Sequence, residues 1–161
     1  MIKVENLYKE FQLGKTQRKE LATTNKITVA VYNISFECQP GRIFSLLGPN
    51  GAGKTTTMRM LSTIFKPTSG SIEIAGIDAI KEPQEARRKI GFLTGSAGLY
   101  ARLTPNELVK YFADLYKVND ADFKERKERL FTLLDMNEFQ NKSIGKLSTG
   151  MKQKVSICRT M

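Results

Sequence analysis

Gly48-Pro49-Asn50-Gly51-Ala52-Gly53-Lys54-Thr55 is the stretch on which the fold turns. It fits glycine, any four residues, glycine, lysine, then serine or threonine, the pattern of a phosphate-binding loop. The glycines let the backbone fold tightly enough to aim successive N–H groups at phosphate oxygens. A following helix brings its positive end to the same place. Lys54 reaches the β and γ phosphates as a mobile point charge, and the Thr55 hydroxyl is short enough to ligate a Mg2+ ion bridging them. Thr56 adds a contact to the α phosphate.

The flanks of the loop support that reading. Pro40-Gly41 turns the chain into Ile43-Phe44-Ser45-Leu46-Leu47, an apolar run that predicts a buried strand. From Lys54 a helix is expected, with Met58, Leu61, Ile64 and Phe65 on one face and a stop supplied by residues 67–70. Upstream, residues 2–13 and 27–38 are rich in Ile, Val, Phe and Tyr and read as strands, while the polar, basic residues 14–26 read as an exposed loop. Downstream, Ile72-Glu73-Ile74 is a short alternating strand, Pro83 opens a brief helix, and Ile90-Gly91-Phe92-Leu93 has strand character. The alternation favours an α/β layer.

Thr104-Pro105-Asn106-Glu107 combines a capping box with proline at the first helical position. Leu108, Phe112 and Leu115 mark the apolar stripe of that helix. A second amphipathic helix carrying Phe123, Leu130, Phe131 and Leu134 follows Asn119-Asp120, so residues about 104–145 read as a helical insert.

Composition narrows the function classes. The 161 residues, 40% hydrophobic and 26% charged, suit one soluble domain, and no apolar run reaches the length of a membrane span. A cytosolic location is expected. Cys38 and Cys158 stand alone, giving neither a disulfide framework nor a metal spacing. The absence of histidine excludes a Ser-His-Asp triad. A net charge of +10 is compatible with nucleic acid, anionic lipid or a phosphate-rich ligand. The basic run Lys124-Glu125-Arg126-Lys127-Glu128-Arg129 interleaves acid and base, however, as a solvated helix face does. No nucleic-acid partner is expected.

Leu147-Ser148-Thr149-Gly150-Met151-Lys152-Gln153-Lys154 resembles the signature of ATP-binding cassette (ABC) ATPases, usually written Leu-Ser-Gly-Gly-Gln. Residues 67–72 resemble the turn and strand that follow the phosphate-loop (Walker A) helix in the same family. The resemblance implies an α/β fold: a P-loop NTPase core of the ABC ATPase type with an N-terminal antiparallel β subdomain and a helical insert. It also implies ATP as ligand, with Mg2+. Ser148 caps the helix outlined by Met151, Val155 and Cys158, leaving N–H groups and a hydroxyl to contact phosphate. Two cassettes meet head to tail in this family. By that resemblance Gly48, Pro49, Asn50, Gly51, Ala52, Gly53, Lys54, Thr55 and Thr56 hold one nucleotide, and Ser148, Thr149, Gly150 and Met151 clamp the γ phosphate held by a second copy. Phe11 falls where the family places an aromatic that stacks on adenine. The loop near Gly98-Leu99-Tyr100 falls close to a transmembrane permease subunit, which puts the protein on the inner face of the cell membrane. Thr149 and Met151, with Gly91-Phe92-Leu93-Thr94-Gly95, look most like the ATPase subunits of sodium-extruding Nat-type exporters.

The sequence departs from the family in two places. Gly95 stands near where a glutamine normally helps hold magnesium and the attacking water, and Ser96 is the nearest substitute. The Walker B strand, with its magnesium-binding aspartate and catalytic glutamate, and the switch histidine are expected beyond Met161, so no catalytic residue is assigned and the chain reads as a cassette incomplete at its C-terminus. Two other readings stay open. One is a soluble ABC ATPase acting in translation or DNA repair, and the other is a nucleotide binder that does not hydrolyse.

Overall fold

Two long strands build the N-terminal part of the protein, because β-branched and aromatic residues fill both and fit a pleated, half-buried surface. In the computed structural model, which describes residues 1–20, 22–93 and 98–161, β1 is Ile2–Gln12 and a short helix α1 is Lys15–Glu20. Strand β2 is Ile27–Cys38, and it pairs antiparallel with β1 from Ile2 opposite Cys38 to Gln12 opposite Ile27. Helix α2 is Lys54–Leu61, β3 is Ser69–Ile74, β4 is Ile77–Asp78 and α3 is Pro83–Arg87. The sheet order is β2-β1-β3-β4, with every pairing antiparallel.

The β1–β2 ladder is irregular in an informative way. Val4 faces Phe36 and Leu7 faces Ile34, so β1 carries an extra residue there, and Asn6 takes a left-handed φ of 49°. Lys9 faces Val31 and Glu10 faces Val29, so Ala30 is extra on β2. Such bulges bend a strand and increase its twist. Gly70 lies against the first: a Cβ there would fall 2.4 Å from the Asn6 carbonyl oxygen. Val4, Leu7, Met60, Ile72 and Ile74 form the core beneath the sheet.

Several expectations are corrected. Residues 14–26 are not all loop, since α1 forms with no buried residue. Its sequence shows no apolar period because it buries nothing. Helix α2 ends at Leu61, before the proline, because Thr63 reverses the chain at a φ of 59° and its N–H bonds the Met60 carbonyl. Thr57 and Met60 are the buried residues of α2, while Met58 and Ile64 face solvent. Residues 43–47 belong to no strand, and Ile43 is 98% and Leu47 91% exposed. Among the described residues no strand pairs with them. Residues 90–93 likewise lie outside any strand.

The chain divides into two compact units, Met1–Ile90 and Gly91–Met161. The second is helical: α4 is Pro105–Leu115, α5 is Asp120–Leu133 and α6 is Thr149–Thr160. Its core joins Leu108, Phe131, Met136, Ile144, Leu147, Val155 and Cys158. Burial pushes the Cys158 thiol up to about 11. The α4 stripe runs through Leu108 and Phe112 but not Leu115, which is exposed in the last turn. Ile144 and Gly145 donate to the carbonyls of Leu103 and Ala101, both at 2.8 Å, which ties the approach to α6 back to the approach to α4.

The capping box is present at the start of α4. Glu107 N–H donates to Thr104 Oγ1 at 3.2 Å, and Thr104 N–H donates to Glu107 Oε2 at 2.8 Å. The backbone and hydroxyl donors of Thr104 hold the Glu107 carboxyl below its ordinary value of 4.5. A depressed carboxylate stabilises the fold above its unfolded value, and that contribution disappears as pH falls through the folded one. Glu107→Gln is therefore expected to lower stability at pH 7, with that deficit against the parent protein shrinking progressively as pH falls below 4.5. Urea unfolding at pH 7 and pH 3.5 checks it.

Candidate nucleotide site

The loop of residues 48–53 makes a series of backbone turns that only glycine adopts readily. Gly51 has φ 85° and Gly53 φ 81°, both left-handed. The Ala52 N–H donates to the Pro49 carbonyl at 3.3 Å, closing the turn. Gly53 is the N-cap of α2, and its carbonyl accepts from both the Thr57 N–H at 2.8 Å and the Thr57 hydroxyl at 3.0 Å. No side chain caps this helix and its first turn holds no acid. The N–H groups of Lys54, Thr55 and Thr56 thus have no carbonyl within their own helix, and the helix dipole adds positive potential where they emerge.

Gly53 is pressed against β2. A Cβ on it would sit 2.3 Å from the Ala30 carbonyl oxygen and 3.1 Å from Val31 Cγ2. Ala30 is the bulged residue, so the irregularity in the hairpin is also the seat of the loop. Lys54 Nζ donates to the carbonyls of Gly48 and Pro49, both at 2.6 Å, which folds the ammonium over the loop. Thr55 is exposed. Among the described residues no group of three or more Cys, Asp or Glu side chains could hold a metal. A divalent cation beside this loop would take at most the Thr55 hydroxyl from the chain and complete its shell with water and ligand oxygens, an arrangement that fits a hard ion such as Mg2+.

Phe11, near the end of β1, meets Phe65 edge-on, with ring centroids 5.5 Å apart. The Lys9 ammonium lies 4.9 Å from the Phe11 centroid. In the second unit Ser148 caps α6, accepting from the Met151 N–H at 3.3 Å. Ser148, Thr149 and Gly150 are exposed, while half-buried Met151 packs against the core that Val155 and Cys158 enter from the same helix face. Gly95 and Ser96 lie outside the described residues.

A loop of this geometry and a Ser148-capped second motif, on one chain, narrow the choice of family, and a sequence profile described as ABC transporter matches residues 31–161. The chain belongs to the ABC transporter ATP-binding family. It is 39% identical over 137 residues to the ABC transporter ATP-binding protein NatA of Bacillus subtilis, covering 84% of this chain and 56% of NatA. It is 36% identical to the bacitracin transport ATP-binding protein BcrA of Bacillus licheniformis, covering 82% of this chain and 42% of BcrA. The chain thus spans about half the length of these relatives. Its fold matches that of the ATP-binding cassette MJ0796, in a dimeric post-hydrolysis state bound to ADP and Pi, with a TM-score of 0.77 at 26% identity over 100% of this chain and 69% of that one.

The fold is accordingly that of an ABC ATPase: α/β, with an antiparallel N-terminal sheet and helices. What the motif reading missed is the Ala30 bulge on which the Walker A loop of this family member sits. Alternation of apolar and polar residues carries no signal for a bulge, and only the ladder reveals it. Gly51→Ala and Gly53→Ala separate strain from clash. Both place a side chain at a left-handed φ, which costs about 1 kcal/mol, but only the second drives a Cβ into backbone. Thermal unfolding should show a small loss for Gly51→Ala and one at least twice as large for Gly53→Ala.

Proposed function

We propose that this chain binds ATP through Gly48, Pro49, Asn50, Gly51, Ala52, Gly53, Lys54, Thr55 and Thr56, and that it is part of the ATPase subunit that powers an ABC membrane transporter. The observation that carries the proposal is the uncapped N-terminus of α2, with its acid-free first turn and the Lys54 ammonium gathered at the same loop. In this reading Thr55 supplies a hydroxyl to Mg2+, which would neutralise charge on the phosphates. Phe11 offers a ring to the adenine. Residues Ser148, Thr149, Gly150 and Met151 contact the γ phosphate of a nucleotide held by a second copy, so that ATP closes a cassette dimer. The full-length protein hydrolyses ATP, and the loop near Gly98, Leu99 and Tyr100 faces a transmembrane permease subunit. Tyr100 is exposed, which suits that role. No helix among the described residues is long and apolar enough to cross a membrane, so attachment through a permease at the inner face of the cell membrane is the location proposed. Thr149 and Met151, with residues 91–95, resemble the ATPase subunits of Nat-type exporters, and on that resemblance export, with sodium as the exported ion, is the direction proposed.

Two substitutions test the two halves of the site. Lys54→Ala should weaken ATP binding at least tenfold in calorimetry, and unchanged binding would refute the loop assignment. Gly150 lies in the first turn of α6, where an added Cβ meets nothing within 4 Å. An acid there also suits the helix N-terminus. Gly150→Asp is expected to keep or raise the melting temperature and to leave ATP affinity of the single chain intact, while abolishing ATP-driven dimerisation in light scattering. A variant that still dimerises with ATP removes the signature from the interface.

A further inference from the structure

We infer that Lys9 is a positioning residue for the base-binding ring of Phe11, an inference that rests on the ATP reading above. The segment leaving α2 is fastened alongside β1. The Thr68 N–H donates to the Tyr8 carbonyl at 2.9 Å, and the Glu10 N–H donates to Thr68 Oγ1 at 3.2 Å. Between these two backbone ties, Lys9 Nζ donates to the Lys66 carbonyl at 2.8 Å while lying over the Phe11 ring. The ammonium is therefore held at a fixed place and in turn holds the ring. Phe65 meets Phe11 edge-on, and the Arg59 guanidinium lies 5.6 Å from the Phe65 centroid. The two rings, Phe11 and Phe65, are thus flanked by two cations, Lys9 on one side and on the other Arg59, a residue of α2 itself.

Two physical consequences follow. A ring gripped by a cation and a neighbouring ring has lost its rotamer freedom before the base arrives, so less entropy is spent on stacking. The ammonium also draws on the π-density of Phe11, which weakens the repulsion between the ring and a purine stacked on it. Lys9 thereby favours the base and is indifferent to the phosphates. This distinguishes it from a lysine that contacts phosphate and from one that merely fastens the chain.

Calorimetric titration of the protein with ATP and with inorganic tripolyphosphate, both with Mg2+, makes the distinction. Lys9→Met should weaken ATP binding about five- to tenfold and leave tripolyphosphate within twofold of the parent. Lys9→Arg, which keeps a cation near the ring, should recover most of the ATP affinity. Phe11→Ala should weaken ATP at least as much, and adding Lys9→Met to it should produce no further loss. Equal weakening of both ligands by Lys9→Met, or tighter ATP binding, overturns the inference, as does unchanged ATP affinity in Lys9→Met when Phe11→Ala weakens it. If Phe11→Ala leaves the ratio of the two affinities unchanged, Phe11 is not the base platform and the role of Lys9 falls with it. A parent protein that binds neither ligand removes the nucleotide reading and this inference together.

Discussion

The backbone of Gly53 against the Ala30 carbonyl is the contact on which the candidate site depends. A side chain at position 53 would overlap that carbonyl at 2.3 Å, so the approach exists only because the residue has no Cβ. The bulge in β2 leaves Ala30 without a partner across the ladder, and the loop is seated on that residue. With Gly53 fixed there, α2 begins at the sheet, and its three N–H groups without helical partners are anchored to a rigid element. An anion site made of backbone dipoles needs this, because dipoles that must reorganise around a ligand lose much of what they gain. The Gly70–Asn6 contact repeats the device one element later and holds β3 against the bulge in β1 at Asn6.

The two helices that carry the motifs start differently. Helix α6 has a serine cap that satisfies the Met151 N–H, leaving Thr149 and Gly150 at its exposed tip. Helix α2 has a left-handed glycine and no cap at all. The uncapped end has the larger unmet demand for an acceptor. Capping by Ser, Thr, Asp or Asn is worth about 1 kcal/mol to a typical helix, and α2 forgoes it. What stabilises the end instead is tertiary: the seat on β2 and the Thr57 hydroxyl bonded to Gly53. Lys54, bonded to two carbonyls of its own loop, keeps positive charge beside those N–H groups. The loop is thus shaped for an anion by groups that cannot satisfy one another.

Much of this was legible in the sequence, for reasons that differ from residue to residue. The phosphate loop could be read because its chemistry lies in the backbone and its glycines are the visible trace. The capping box at Thr104 and the cap at Ser148 could be read because they are local, spanning three or four residues. Strands β1 and β2 were visible because β-branched and aromatic residues fill both. Helix α1 was not, since a basic helix with no buried residue has no apolar period. The early end of α2 was missed for a related reason. The reversal at Thr63 uses a left-handed residue that is neither glycine nor asparagine, and the later proline gave a more obvious stop. The bulges, and the Lys9–Phe11 contact they accompany, are properties of strand pairing that a single strand does not show.

Residues 43–47 mark the limit of such reading most sharply. Their apolar run predicts a buried strand, yet they form none, and Ile43 and Leu47 are almost fully exposed. Burying an Ile or Leu side chain is worth about 1.5 to 3 kcal/mol, so the run lacks a contribution its composition is suited to make. Phe44 recovers part of it by stacking on Phe36, with centroids 4.9 Å apart and planes 17° from parallel. A helix carries its hydrogen bonds within itself, so its sequence can specify it alone. A strand is completed by a neighbour, and apolarity in one segment states only that a neighbour would be stabilising. Sequence reading is therefore most direct here for the phosphate loop and the helix caps, and it becomes conditional wherever burial depends on pairing.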